Sequence, residues 1–279
     1  MATDLSELAI DLEKKNGIFC AKRKGNNNEI SFPQEGHNSL FEIEEKSYWY
    51  LHRNDILVHL AKKYSGDGIF LDVGGGNGVV SKALQNEGFE SIVIEPGEIG
   101  CLNSRQRGVE KIFFGEIDDI SFHPDVEITS VGAFDVVEHV PNDLKILKEM
   151  NMKIKDGGFI YITVPAFNSL WSTADVVAGH FRRYTKKSIS KVIEEAGFEV
   201  VESGYFFSFL FLPILLLKAI PTKLKLTRKN KNTTQRDHGT SNGILTKIAK
   251  KRLKVEARKL KKGKKKWLGS SIFVVAKKI

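Results

Sequence analysis

Between Ile69 and Val201, short apolar runs alternate with segments of helical period. The runs are Ile69–Val73, Ser91–Ile94, Lys111–Phe114 and Phe159–Val164; Phe198–Val201 opens a sixth, and a less clear fourth falls within Val126–Val131. Between them, Val79, Val80, Ala83 and Leu84 share a helix face closed by Gly88. Leu144, Leu147 and Met150 share another on a helix Asn142–Ile154 capped by Asn142, and Thr185–Ala196 reads as a helix ended by Gly197. This order predicts parallel βαβ units with right-handed crossovers and helices on both faces of the sheet. Upstream, Ser47 caps a predicted helix reaching about Tyr64, with Trp49, Arg53, Ile56, Leu57 and Leu60 at helical spacing and Gly66-Asp67-Gly68 as its end. Residues 1–45 hold a short amphipathic helix candidate (Leu5, Leu8, Leu12) and a polar stretch through Asn26, Asn27 and Asn28, which reads as an appendage. Far downstream, Ser270–Ala276 is one more strand, and the chain has no internal repeat.

Composition narrows the class. With 279 residues, 41% of them hydrophobic and 10% aromatic, the chain can bury a real core, which excludes wholesale disorder. Cys20 and Cys101 cannot form a disulfide framework or, alone, a four-ligand zinc site, so a reducing, cytoplasmic setting is expected. The acidic, amphipathic N-terminus lacks the basic and apolar regions of a secretory signal.

The net charge of +9 conceals its distribution. From Lys218 to Ile279 there are 21 basic residues against Asp237 and Glu256, a local +19 that leaves −10 for residues 1–217. Just before this tail lies the most apolar stretch, Tyr205–Ile220, whose 16 residues are interrupted by Pro213. It is shorter than the roughly 20 residues needed to span a bilayer. Thr222–Asn242 reads as disordered. Gly243–Gly263 reads as a basic amphipathic helix, with Leu245, Ile248, Leu253 and Leu260 against Lys247, Lys250, Lys251, Lys254, Arg258 and Lys261. An apolar helix beside a cationic one fits docking on an anionic membrane at its inner face. The alternatives are a cover for the sheet edge with solvated lysines, and RNA binding, which ranks lower because no aromatic interleaving supports base stacking.

The candidate chemistry starts at the turn after the first apolar run. Gly74, Gly76 and Gly78 of DVGGGNG form G-x-G-x-G between a strand and a helix N-terminus, where glycines allow a tight turn and close approach of a ligand to unpaired N–H groups. A dinucleotide fingerprint needs its third glycine at position 79, which is Val79, and no Lys-Ser/Thr follows, so NAD and a phosphate-binding P-loop are excluded. The second strand ends about twenty residues on at Glu95, where a carboxylate accepts both ribose hydroxyls. Together these features indicate a nucleoside-containing ligand, against the alternative of a purely structural turn.

On these residues the sequence resembles the class I S-adenosylmethionine (SAM)-dependent methyltransferases, over roughly Tyr48 to Phe206 plus the last strand. The resemblance implies that LDVGGGNG is the SAM loop, with Asp72 and Gly74 near the methionine moiety, Glu95 on the ribose, and Glu116 and Ile117 beside adenine. FDVVEHV (Phe134–Val140) and IKDGGFIYITVPA match segments around the family's fourth and fifth strands. YWYLHRN (Tyr48–Asn54) and LWSTADVVAGHFRRYTKKSI resemble blocks of a bacterial and archaeal group linked to cell-surface glycan or isoprenoid-lipid metabolism. Members frequently carry an N-terminal cysteine-pair zinc knuckle; here only Cys20 stands there, so no metal is expected.

His139 is the first candidate base, because imidazole titrates near neutrality and the loop follows the fourth strand. The alternative is that Glu138 and His139 cap the next helix or brace the SAM loop. His180, Arg182, Arg183 and Tyr184 form a second cluster, with His180 and Tyr184 as further catalytic candidates. Its arginines can clamp a phosphate or carboxylate of the acceptor, or else form a solvated basic turn. Asp175 positions the acceptor or pairs with one of these arginines, Arg53 is a further acceptor contact, and Trp49 and Trp171 wall the pocket or belong to the core. The whole predicts a Rossmann-like α/β methyltransferase with a seven-stranded, mostly parallel sheet and an antiparallel last strand beside the sixth. Its parts are a helical appendage (1–46), a SAM-binding core (47–204), a hydrophobic and basic helical insertion (205–263) and the last strand (264–279). The acceptor expected is small or lipid- or glycan-linked. The rival readings are an RNA methyltransferase anchored by the tail and a non-catalytic SAM-binding protein.

Overall fold

In the computed structural model, which describes residues 4–22, 34–226 and 243–279, the alternating pattern becomes an α/β sandwich. The strands are β1 (Ala9–Ile10), β2 (Leu12–Lys15), β3 (Ile18–Ala21), β4 (Ile69–Val73), β5 (Glu90–Glu95), β6 (Ile112–Phe114), β7 (Ser121–Phe122), β8 (Ile128–Phe134), β9 (Phe159–Pro165), β10 (Phe198–Phe206) and β11 (Ser271–Lys278). Nine of them form one sheet in the order β10-β11-β9-β8-β4-β5-β6-β3-β2. The centre is parallel, and β11 runs antiparallel between β9 and β10.

The helices are α1 (Leu5–Leu8), α2 (Gln34–Glu44), α3 (Tyr48–Tyr64), α4 (Val79–Gln85), α5 (Glu98–Gln106), α6 (Asp143–Lys153), α7 (Thr173–Ala178), α8 (Lys186–Glu195), α9 (Ser208–Ile214), α10 (Ile220–Lys223) and α11 (Ile244–Lys261). They cover both sheet faces, so the central strands are buried along their lengths. On one face Leu147 and Met150 of α6 and Ile189 and Ile193 of α8 pack against Ile69, Leu71, Val73 and Val131. On the other, Ile56, Leu57 and Leu60 of α3, Val80 and Leu84 of α4 and Leu253 of α11 pack on Phe70, Tyr161 and Val275. The period-2 alternation of each strand thus feeds two cores, each buried aliphatic contributing about 1.5–3 kcal/mol.

Three expectations change. The N-terminal appendage is mainly strand: only one helical turn forms at Leu5–Leu8, after which Asp11, at φ +55°, breaks the spacing that runs on to Leu12. β3 then pairs in parallel with β6 (Phe19 opposite Phe113), satisfying an edge of the seven-strand core and burying Ile18 and Phe19, and β2 extends the sheet to nine. Asn26, Asn27 and Asn28 lie outside the described residues. The fourth core strand is β8, shifted towards Phe134 and buried throughout. Its soft sequence has a packing reason, since a Cβ on Gly132 would stand 2.3 Å from the Phe134 ring and 2.9 Å from that of Phe70. The apolar stretch is also divided: Tyr205 and Phe206 end β10, while α9 continues through a π turn (Leu215–Ala219) into α10. Of the segment expected to be disordered, Thr222 and Lys223 are helical, and residues 227–242 lie outside the described residues.

Candidate active site

The strand ends at one edge of the sheet carry nearly all the candidate chemistry. After β4 the chain must turn at once into α4, and Gly74, Gly76 and Gly78 all take left-handed φ, +65°, +53° and +73°. A Cβ at Gly78 would collide with Ser104 Oγ at 2.5 Å, whereas one at Gly76 would meet only the His37 imidazole at 3.6 Å. The loop is therefore tight where it packs and open at Gly76. Two buried carboxylates shape it. Asp72 accepts from Ser81 N at 3.2 Å and Ser81 Oγ at 2.8 Å, tying β4 to the first turn of α4. Glu95, at the end of β5, accepts from Gly76 N at 2.8 Å and Gly97 N at 2.7 Å. Burial pushes Asp72 up to about 6 and Glu95 up to about 7. Gly115 N donates to Glu95 O at 3.1 Å, which sets Glu116 and Ile117 at the same edge, with Ile117 buried in the core.

A second group forms beyond β8. Val136 lies against Gly74, close enough that a Cβ there would meet its methyl at 2.8 Å, and Glu138 and His139 follow in a single 3₁₀ turn. The segment His180–Tyr184 crosses these strand ends: Phe181 N donates to Glu138 O at 2.8 Å and Tyr184 N to Pro165 O at 2.9 Å. Sequence blocks some forty residues apart thereby converge. The His139 and His180 rings meet edge to face at 4.7 Å, and His180 Nε2 stands 4.0 Å from Glu138 Oε1. Burial, reinforced by Asp135, raises the Glu138 carboxyl well above its usual range. Burial and the neighbouring His180 push His139 down to about 3, so it is a neutral imidazole.

The remaining predicted residues are bound into this frame. Asp175 accepts from Arg183 Nε at 2.7 Å and Nη2 at 3.1 Å, and pairs with His180 Nδ1 at 2.8 Å. Burial works to raise its carboxyl, but His180 and Arg183 outweigh it and hold Asp175 at about 2. Arg182 pairs with Asp143 at 2.9 Å, and the Tyr184 hydroxyl donates to the same carboxylate at 2.9 Å. Both guanidiniums are thus engaged by carboxylates of this chain, and burial with Asp143 raises the Tyr184 phenol. Arg53 is buried, pairs with Asp135 at 2.6 Å and lies over the Trp49 ring, which stacks on Phe207 at 5.2 Å. Trp171 is half-buried just before α7, in the segment that leads to Asp175.

Sequence reasoning missed Asp135, Asp143 and His37. It also missed the left-handed φ of Asp135, Phe167 and Phe207, which follow the ends of β8, β9 and β10. Strain of this kind is concentrated at functional edges. The one signal available for these three was position: Asp135 and Phe207 fall immediately after a strand, and Phe167 two residues after the end of β9.

Residues 44–203 match the model of the methyltransferase-domain family. The ubiquinone biosynthesis O-methyltransferase of Acinetobacter baumannii is 27% identical over 99 residues, 33% of this chain and 42% of that protein, so the chain spans less than half the length of this relative. A Mycolicibacterium smegmatis protein named as an S-adenosylmethionine-dependent methyltransferase is 22% identical over 176 residues, 62% of this chain and 68% of its own. Among solved structures, a SAM-dependent methyltransferase from Thermotoga maritima superimposes with a TM-score of 0.52 at 14% identity, covering 88% of this chain and 97% of that one. Phosphoethanolamine N-methyltransferase 2 of Haemonchus contortus, in complex with S-adenosyl-L-methionine, gives 0.50 at 15% identity, covering 81% and 52%. At these identities the likeness is one of fold.

Proposed function

The chain belongs to the methyltransferase-domain family of class I SAM-dependent enzymes, and from that premise we propose that it methylates a lipid-linked acceptor held beside Glu138, His139 and His180. The observation that carries this reading is the convergence, at one sheet edge, of the open glycine loop and Glu95 with that buried polar cluster. The loop suits the cofactor: Gly76 leaves room for close approach, and Glu95 is fixed by two N–H donors with lone pairs left for a ribose. SAM supplies a methyl group on an electrophilic sulfonium. The protein's share is to hold the acceptor in line, which by itself removes much of the barrier. Glu138 or His139, within the cluster, receives the acceptor's hydrogen bond and orients its lone pair. Arg53, Trp49 and Phe207 wall the approach, while Arg182, Arg183 and Tyr184 act as positioning residues through Asp143 and Asp175.

A lipid-linked acceptor is supported by the face of α9 and α10. Leu212, Leu216, Ile220 and Leu224 recur every fourth residue and are all exposed, Leu212 at 60% and Leu216 at 57%, with Leu217 at 75% beside them. Exposed Lys223 and Lys225 border this stripe. No helix among the described residues is long and apolar enough to cross a membrane, so the stripe suits interfacial contact with an anionic surface. Thr173 N donates to Thr222 Oγ1 at 3.3 Å, linking this face to the segment that carries Asp175 and His180.

Titration calorimetry tests the cofactor half. SAM binds the intact chain, and Glu95→Ala weakens it by about 1.5–3 kcal/mol, the worth of hydrogen bonds to a charged acceptor. Equal affinities would remove Glu95 from the site.

A further inference from the structure

Glu138 is fully buried, and neither carboxylate oxygen has a hydrogen-bond partner among the described residues. A buried carboxylate left in that state is expensive unless a cation meets it. The nearby guanidiniums are directed elsewhere, Arg53 to Asp135 and Arg183 to Asp175. What faces Glu138 instead is imidazole. Each of Glu138, His139 and His180 offers one ligand atom, and the three atoms lie within 4.8 Å of one another. The pairing of His180 Nδ1 with the Asp175 carboxylate assigns the proton to Nδ1, which leaves the Nε2 lone pair on the side of Glu138. Arg183 and Ser172 N in turn hold Asp175, so the imidazole is braced through two successive layers.

The geometry points to a site for a divalent first-row transition cation at Glu138, His139 and His180, with Asp175 as the residue that positions His180. Two imidazoles and one carboxylate, one imidazole anchored by a second carboxylate, form a donor set suited to such an ion that leaves coordination positions open. Bonds of about 2.1 Å place neighbouring ligand atoms about 3–3.5 Å apart, a contraction that side-chain rotation supplies. The ion supplies the partner that the Glu138 oxygens otherwise lack. Binding itself is independent of the methyl-transfer reading; only its use rests on that reading. In that use an open position takes an acceptor hydroxyl and makes it more acidic, and the proton leaves to solvent. The oxygen pair then forms the O–CH₃ bond as the C–S bond breaks and its electron pair returns to sulfur.

The test uses the full chain, stripped with a chelator and titrated with Co²⁺ while its visible absorption is followed, then challenged with Zn²⁺. One Co²⁺ per chain, displaced by Zn²⁺, is expected. Glu138→Gln and His180→Ala should abolish that absorption, and Asp175→Asn, which keeps all three ligands, should weaken binding about 10- to 100-fold. Melting curves and SAM calorimetry on the same samples separate loss of the ion from loss of the fold and from failure of the cofactor reading. Absence of stoichiometric Co²⁺ binding by the wild type, or identical binding by folded Glu138→Gln and His180→Ala, overturns the proposal.

Discussion

Glu95 shows why some single residues were readable and others were not. Its place beside the glycine loop follows from being the last residue of a strand a fixed distance past a glycine turn, both local facts. Arg182 and Arg183 looked free to clamp a ligand because Asp143 was not anticipated as a partner, and the pairing of Asp175 with an arginine stood beside a second reading until the fold showed Arg183 on it. The same burial that fixes Glu95 makes a pH prediction. Its carboxyl sits at about 7 and that of Asp72 at about 6, against ordinary values near 4. Between those limits these two groups hold protons that the unfolded chain has released, so their contribution to stability falls as pH rises from about 4 to 7, while His139, held neutral, contributes in the opposite direction up to its ordinary value near 6.5. Asp175, held at about 2, contributes stability above pH 4 and does not enter this window. Urea unfolding of the SAM-free protein at pH 5 and pH 7.5 should therefore show a change in midpoint that is more favourable to pH 7.5 in Glu95→Gln than in wild type, since the variant lacks the Glu95 contribution. Equal changes in the two proteins would refute the assignment to Glu95.

At the level of elements, β4, β5, β6 and β9 and the helices α4, α6 and α8 were legible from their apolar periodicity and the glycines or caps beside them, whereas α5 and α7 were not anticipated and β8 was placed only loosely. Ser47, Asn142 and Thr185 all accept from the N–H groups expected of a cap. The N-terminal strands were not legible, since β2 and β3 are held by the distant edge strand β6 and not by local preference. Nor was the docking of α11. Its expected apolar face is partly committed to the protein, with Leu253 buried against α3 and its neighbours. Glu256, one of two acids in the basic tail, is buried there. It pairs with His52 Nε2 at 2.8 Å and accepts from Phe207 N at 2.8 Å and Ser208 N at 2.9 Å, so one carboxylate joins α11, α3 and the start of α9. Glu256→Ala should cost about 3 kcal/mol through the donors it strands. A chemical denaturation midpoint unchanged from wild type would show that the junction contributes nothing.

For the molecule as a whole, the charge asymmetry was plain in the sequence, but its use depends on the fold. α11 docks through its apolar side and turns its lysines outward, so any membrane contact falls to the exposed stripe of α9 and α10, with the lysines as electrostatic support. Flotation with phosphatidylglycerol-containing vesicles should recover the wild type. It should lose the Leu212→Lys/Leu216→Lys variant, whose melting temperature stays near wild type because both leucines are exposed; equal recovery would discard the surface. The central claim is methyl transfer to a lipid-linked acceptor at the convergent edge of the sheet. Its most direct measurement is incubation of the protein with methyl-labelled SAM and separated lipid, glycan and RNA fractions. Label is predicted in the lipid fraction with wild type and is lost with Glu138→Gln, while label confined to RNA, or undiminished in that variant, would contradict the account.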